Sequence, residues 1–216
     1  MASTWSKISS MKLLVALKSV YAKPVLFLIC LLPFLLLIAD AFRGELGANP
    51  VETLTFTTGE WTLRFLLITL TMTPLRNWSG QSVWLRFRRM LGLYAFFYGV
   101  CHFAIWFVAD HSLDLLAMFD DIVERPYITF GFTALLLMIP LAITSNQAMI
   151  RRLGRRWRSL HQLVYPTLLL GILHYLWLTK ADYLEPGIYA IIAAFLLLQR
   201  LGPVKRLFSR TQALAR

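Results

Sequence analysis

Apolar residues in this chain do not alternate with polar ones, as they would along a half-buried strand. They gather into six runs, roughly residues 22–40, 61–76, 90–109, 127–144, 160–178 and 187–201. Each run is about 15 to 20 residues, short to typical for crossing a hydrocarbon core of about 30 Å at 1.5 Å per residue. Only helices and closed barrels satisfy their backbone groups in lipid, and continuous runs without strand-like alternation predict helices. The second and sixth runs are short and are expected to extend into their flanks. The pattern predicts an all-α membrane protein, a six-transmembrane-helix bundle.

Charge placement sharpens this picture. Four segments, the N-terminus with Lys7, Lys12, Lys18 and Lys23, the stretches Arg76–Arg89 and Arg151–Arg158, and the tail from Arg200, hold 18 of the 22 basic residues and no acid. The remaining segments hold all 11 acids and only Arg43, Arg64, Arg125 and Lys180. Basic loops stay in the cytoplasm, so both termini are expected there, with the three acidic loops outside. The net charge of +11 is thereby accounted for by topology rather than by nucleic-acid binding. Composition agrees: 58% of residues are hydrophobic and 15% charged, against about a quarter charged in soluble domains, and mean hydropathy is +0.62. The organisation expected is a cytoplasmic segment 1–21, a membrane domain 22–201 and a basic cytoplasmic tail 202–216. No internal repeat is evident.

The first run has a basic flank and an Ala-Asp-Ala at 39–41, which loosely suits a cleavage site. Its long apolar core with Pro33 and Phe34 instead predicts a retained span. Cys30 and Cys101 fall inside runs without a CxxC and are expected to act as small hydrophobes.

Candidate chemistry rests on histidine. His111 lies in the acidic outer loop, where a solvated role is expected, but His102, His161 and His174 sit inside the third and fifth runs. Intramembrane ionisable groups are functional candidates by default. Counting from Arg89 and Arg158, His102 and His174 lie roughly 20 and 24 Å from the basic ends of two parallel helices, and His161 only about 5 Å. Two imidazoles at one depth suit bis-histidine haem, whose porphyrin supplies the other four nitrogens; a bare metal ion usually wants further ligands. Arg64, set in WTLRFLL, is placed to meet a haem propionate or to snorkel to the interface. His161 has arginine, not histidine, at the matching position 89. A second haem with another axial partner, a flavin or quinone contact, and no ligand at all remain open for it. A proton or metal-ion transporter is the alternative reading of the same histidines.

The stretches RRLGRRWRSLHQLVY and LHYLW, RRMLGLYAFFYGVCH, RPYIT, LGANPVE with TGEW, and TLTMTPLR resemble the MsrQ (formerly YedZ) family of the ferric-reductase-like transmembrane group. The likeness runs from about Leu31 to Lys180 in order. It implies a multi-pass protein of the bacterial inner membrane carrying b-type haem, with FMN in some members, and maps the three family histidines onto His102, His161 and His174. It implies an electron-transfer subunit rather than the substrate-reducing one. Electrons would come from the quinone pool or a cytoplasmic flavin reductase and pass to a periplasmic molybdopterin methionine sulfoxide reductase, which repairs oxidised envelope proteins. Asn49 and Phe56 depart from the family pattern and bear on partner contacts. The tail carries no Gly-rich nucleotide loop, so a separate electron donor is expected.

Overall fold

The computed structural model describes residues 15–179 and 183–200, and the described residues of all six apolar runs are mainly helical. Lys7, Lys12 and the basic tail 202–216 fall outside the described residues. The helices are α1 (Ala22–Arg43), α2 (Pro50–Ser79), α3 (Leu85–Ala109, entered by a 3₁₀ turn), α4 (Leu115–Glu124) and α5 (Pro126–Ile143). They continue with α6 (Gln147–Leu153), α7 (Arg155–Leu160), α8 (Val164–Leu178, entered by a 3₁₀ turn at His161–Leu163) and α9 (Leu184–Leu198). No strand occurs among the described residues. Among the described residues three segments are long and apolar enough to cross a membrane by length and composition: Ala22–Arg43, Ser82–Ala109 and Pro126–Ile143.

The second helix starts about ten residues earlier than its apolar run. Pro50 occupies the first turn, where its missing N–H costs nothing, and Asn49 caps the helix by accepting from Glu52 N–H at 3.3 Å. The intervening threonines are compatible with a helix because Thr55, Thr58 and Thr62 each donate to the carbonyl four residues back, at 2.7–2.9 Å. Their hydroxyls need no other partner. The fifth run is not one helix: α7, the 3₁₀ turn and α8 follow in series. Pro166 cannot donate to the preceding turn, so the break falls just before it and the proline sits in the first turn of α8.

In the bundle α2 packs along α3 and α5 along α8, α3 meets α5, and α9 lies against α8 and α2. Tyr98, Leu70 and Leu168 are wholly buried, and Phe65 stacks on Tyr98 and Tyr94 at 5.3 and 5.5 Å between centroids. The outermost helices expose apolar faces, for example Leu28 and Ile29 on α1 and Ile191, 72% exposed, on α9. A soluble monomer rarely shows such surface, whereas hydrocarbon accepts it.

Two prolines are compensated from other helices. Pro33 opens the ladder of α1, and Tyr98 of α3 enters the gap: Phe34 N–H donates to its hydroxyl at 3.1 Å, and the hydroxyl donates to Cys30 C=O at 2.9 Å. Pro74 leaves Leu70 C=O without its usual donor, and the Arg200 guanidinium supplies one at 2.7 Å.

One element was not anticipated. The acidic segment 110–125, expected as a plain loop, contains α4, which Asp114 caps by accepting from Leu116 and Ala117 N–H at 2.9 and 3.2 Å. Met118 and Ile122 of α4 pack on Ile128, Phe103 and Trp106 as a small second core.

Candidate functional site

His102 on α3 and His174 on α8 meet between the helix pairs, with ring centroids 6.1 Å apart and planes at 80°. Each ring is anchored through Nδ1: His102 donates to Thr55 C=O at 2.8 Å and His174 to Tyr127 C=O at 2.7 Å. A carbonyl only accepts, so Nδ1 carries the proton in both rings and Nε2 keeps its lone pair. A carbonyl bonded to the ring nitrogen away from the metal is how proteins orient a metal-ligating imidazole. A metal–imidazole bond is about 2 Å long. Two such bonds plus the half-widths of the rings come close to the observed centroid separation.

The rings line a cavity of about 450 Å³ bounded by α2, α3, α5 and α8. Its wall is mostly apolar and aromatic, with Leu63, Leu66, Phe103, Trp106, Phe132 and Met138, and it reaches Asn49, Glu52 and Asp110 at the end that carries the acidic loops. Among the described residues no third histidine, cysteine or carboxylate joins the two imidazoles in a metal-binding group. The donor set therefore suits an ion whose remaining ligands come from a macrocycle.

The two halves of the site repeat one another. Adding 72 to Thr55, Gly59, Gly99 and His102 gives Tyr127, Gly131, Gly171 and His174. In both halves the histidine reaches the carbonyl 47 positions earlier. The α2–α3 pair and the α5–α8 pair thus hold their histidines through the same spacing and the same kind of contact. This corrects the expectation of no internal repeat. Thr55, Gly59, Tyr127 and Gly131 were not picked out from the sequence. The 72-residue offset, with Gly-to-His spacing equal in both halves, was the signal available.

The other candidates lie elsewhere. His161 is on the 3₁₀ turn before α8, stacked on Trp157 at 3.9 Å, with its Nε2 3.0 Å from Thr144 Oγ1. Thr144 gives its own proton to Pro140 C=O at 2.6 Å, so His161 Nε2–H is the donor and its lone pair is not presented there. Arg64 does not line the cavity. It donates to Glu60 at 2.7 Å and to Tyr189 OH at 2.8 Å, and lies over the Trp61 ring. Tyr175, which does line the cavity, links Glu60 and Glu185 at 3.4 and 3.0 Å. The cavity wall contains Glu52, Glu60 and Asp110 and, among the described residues, no lysine or arginine.

His111 differs from expectation. Its side chain is only 10% exposed, its Nε2 lies 3.3 Å from Asp121 Oδ2, and its ring packs edge-on against Trp106 at 4.4 Å. Asp121 also binds Arg125 at 2.7 Å. The acidic loop folds back through α4, so this histidine is enclosed rather than solvated.

Comparison with known proteins agrees with this architecture. Residues 58–172 match the family described as ferric reductase like transmembrane component, a segment that contains His102 and ends two residues before His174. The chain is 53% identical over 174 residues to the protein-methionine-sulfoxide reductase heme-binding subunit MsrQ of Ralstonia nicotianae, covering 79% of this chain and 80% of that one. It is 48% identical over 196 residues to the protein of the same name from Herminiimonas arsenicoxydans, covering 89% and 90%. With the one from Xanthomonas oryzae it shares 55% over 152 residues, 70% of each. Matches this extensive, on a helical membrane bundle that brings His102 and His174 together, show that the chain belongs to the MsrQ family of ferric-reductase-like transmembrane proteins.

Proposed function

We propose that this protein is the haem-binding, electron-transferring membrane subunit of a methionine sulfoxide reductase system. The observation that carries the proposal is the pair of imidazoles, each tied by Nδ1 to a carbonyl and left with a free Nε2, at a separation suited to one metal ion between them. His102 and His174 hold a b-type haem. Such a haem, when bound, supplies one-electron redox chemistry in the membrane. The protein positions the two ligands and surrounds them with the apolar wall of Leu63, Phe103 and Phe132.

The matched relatives are named as heme-binding subunits of a protein-methionine-sulfoxide reductase, which supports a methionine sulfoxide reductase as electron acceptor; its periplasmic location and molybdopterin rest on the family resemblance. A quinone or a cytoplasmic flavin reductase is the donor in this reading. Residues 22–201 form six spans in the bacterial inner membrane, with segment 1–21 and tail 202–216 cytoplasmic. The charge segregation supports that orientation. FMN rests on the family resemblance alone, and a released-flavin assay tests it. His161 is assigned a structural part in joining α5 to the turn before α8, and Arg64 a part in holding Glu60 beside the cavity.

The test is the reduced-minus-oxidised absorption spectrum of detergent-purified protein. A low-spin b-type spectrum is expected, and His102→Ala and His174→Ala should each abolish it while the variants still reach the membrane. A wild-type protein without that spectrum overturns the proposal.

A further inference from the structure

We propose that Gly59 and Gly131 are paired positioning residues that seat the two imidazoles and hold their planes crossed. A Cβ built on Gly131 would lie 2.8, 3.0 and 3.1 Å from Nδ1, Cε1 and Cγ of His174. On Gly59 it would lie 3.0 and 3.1 Å from Nδ1 and Cε1 of His102. Neither is an ordinary packing distance, so in each half the Nδ1 edge of the ring rests where a side chain would begin.

The reason lies one turn back. Thr55 and Tyr127, whose carbonyls receive the two Nδ1 protons, precede Gly59 and Gly131 by four residues. In a helix that carbonyl accepts from the N–H of the residue four positions on, which here is the glycine. Side chains along a helix tilt toward its N-terminus, so a Cβ at this position leans over the carbonyl of the preceding turn. Removing it opens the approach through which an imidazole from the neighbouring helix can share that oxygen. A glycine inside a helix is less favourable than alanine, and both halves bear that cost at matching positions. Glycines at Gly92 and Gly171, by contrast, would place a Cβ in ordinary contact, 3.7 and 3.9 Å from the nearest atom.

With one edge against backbone and Nδ1 bonded, each ring has one orientation left. The two orientations differ by 80°. This inference rests on the proposed haem for its spectroscopic consequence. Crossed imidazole planes on one low-spin ferric ion give a strongly anisotropic electron paramagnetic resonance signal, and parallel planes a rhombic one. The ring seating itself does not need haem.

The experiment compares wild type, Gly59→Ala, Gly131→Ala and the control Gly187→Ala, whose added Cβ meets nothing within 4 Å. Wild type and control should show the strongly anisotropic signal. Both test variants should shift toward the rhombic form or lose low-spin intensity to a high-spin species, Gly131→Ala the more. Unchanged spectra in the two variants, or a rhombic wild-type signal, overturn the proposal; the second result decides even if neither variant folds. Nitrogen-15 NMR of histidine-labelled protein free of haem separates this inference from the function. Two Nδ1-protonated imidazoles are expected in wild type, with one lost in each variant. Their absence from wild type sinks the glycine seating, whereas a wild type that shows them yet binds no haem sinks only the functional proposal.

Discussion

Arg64 shows how the sequence setting can single out a side chain whose direction is decided by its neighbours. The sequence left it to meet a haem propionate or to snorkel to the interface; it lies one turn beyond Glu60, which lines the cavity. Yet the guanidinium turns to Glu60 and Tyr189. Removing it leaves Glu60 near Glu185 and Tyr175 without a cation. Arg64→Met is therefore expected to lower stability by about 1–3 kcal/mol, the cost of stranding a partly buried polar partner, reduced here because Arg64 is 32% exposed. The variant should retain its haem spectrum while its thermal unfolding midpoint in detergent falls. Loss of haem with unchanged unfolding would instead restore a propionate-binding role. Tyr98 allows a cleaner substitution. Tyr98→Phe keeps the wholly buried ring stacked on Phe65 but removes the hydroxyl that bridges Phe34 N–H and Cys30 C=O. A loss of about 1–3 kcal/mol is expected, read by denaturant titration in detergent.

At the scale of elements, the arrangement is two equivalent helix pairs with accessories. α2 and α3 form one pair, α5 and α8 the other, and each contributes one ring and one carbonyl. α4 is an accessory held by its cap, by Met118 and Ile122, and by the His111–Asp121–Arg125 group. Its exposed face carries Leu115, Leu116, Phe119 and Val123, so little else fastens it to α3 and α5. Asp121→Ala should raise amide hydrogen exchange across residues 114–124 by roughly two- to fivefold, corresponding to about 0.4–1 kcal/mol of lost local protection, with exchange in α3 and α5 unchanged. Equal exchange in the variant and wild type would show that the apolar contacts suffice. Neither the Asp114 cap nor the apolar pair Met118 and Ile122 was singled out from the sequence, because over ten residues between two long spans that pattern is weaker than the hydropathy around it.

For the whole molecule, the expectation that matters is sidedness. The basic segments carry 18 positive charges without an acid, and the positive-inside rule turns that asymmetry into an orientation. In a strain whose own cysteines are replaced, Ser112→Cys should react with a membrane-impermeant maleimide from the periplasmic side. Gln147→Cys should react only after the membrane is opened. Both positions are exposed, so failure to react reports sidedness rather than burial. Labelling of both from the same side would contradict the six-span arrangement.

Helix locations, the matched depth of His102 and His174 and the isolation of His161 were legible from the sequence. Each depends on local quantities: transfer of apolar side chains into lipid, and a fixed rise per residue. His161 was seen to lack a histidine partner at its own depth, but the contact with Thr144 that occupies its Nε2 was not visible. The repeat went unseen because few of its positions are identical, and those that matter share a geometry rather than a side chain: Thr55 and Tyr127 both act through a backbone carbonyl. Rotation about each helix axis, which carbonyl an imidazole reaches, and whether Arg64 faces the cavity or Tyr189 were decided only by tertiary structure. Those angles are set by how neighbouring helices pack, and contacts between residues tens of positions apart leave no trace in the hydropathy of either segment.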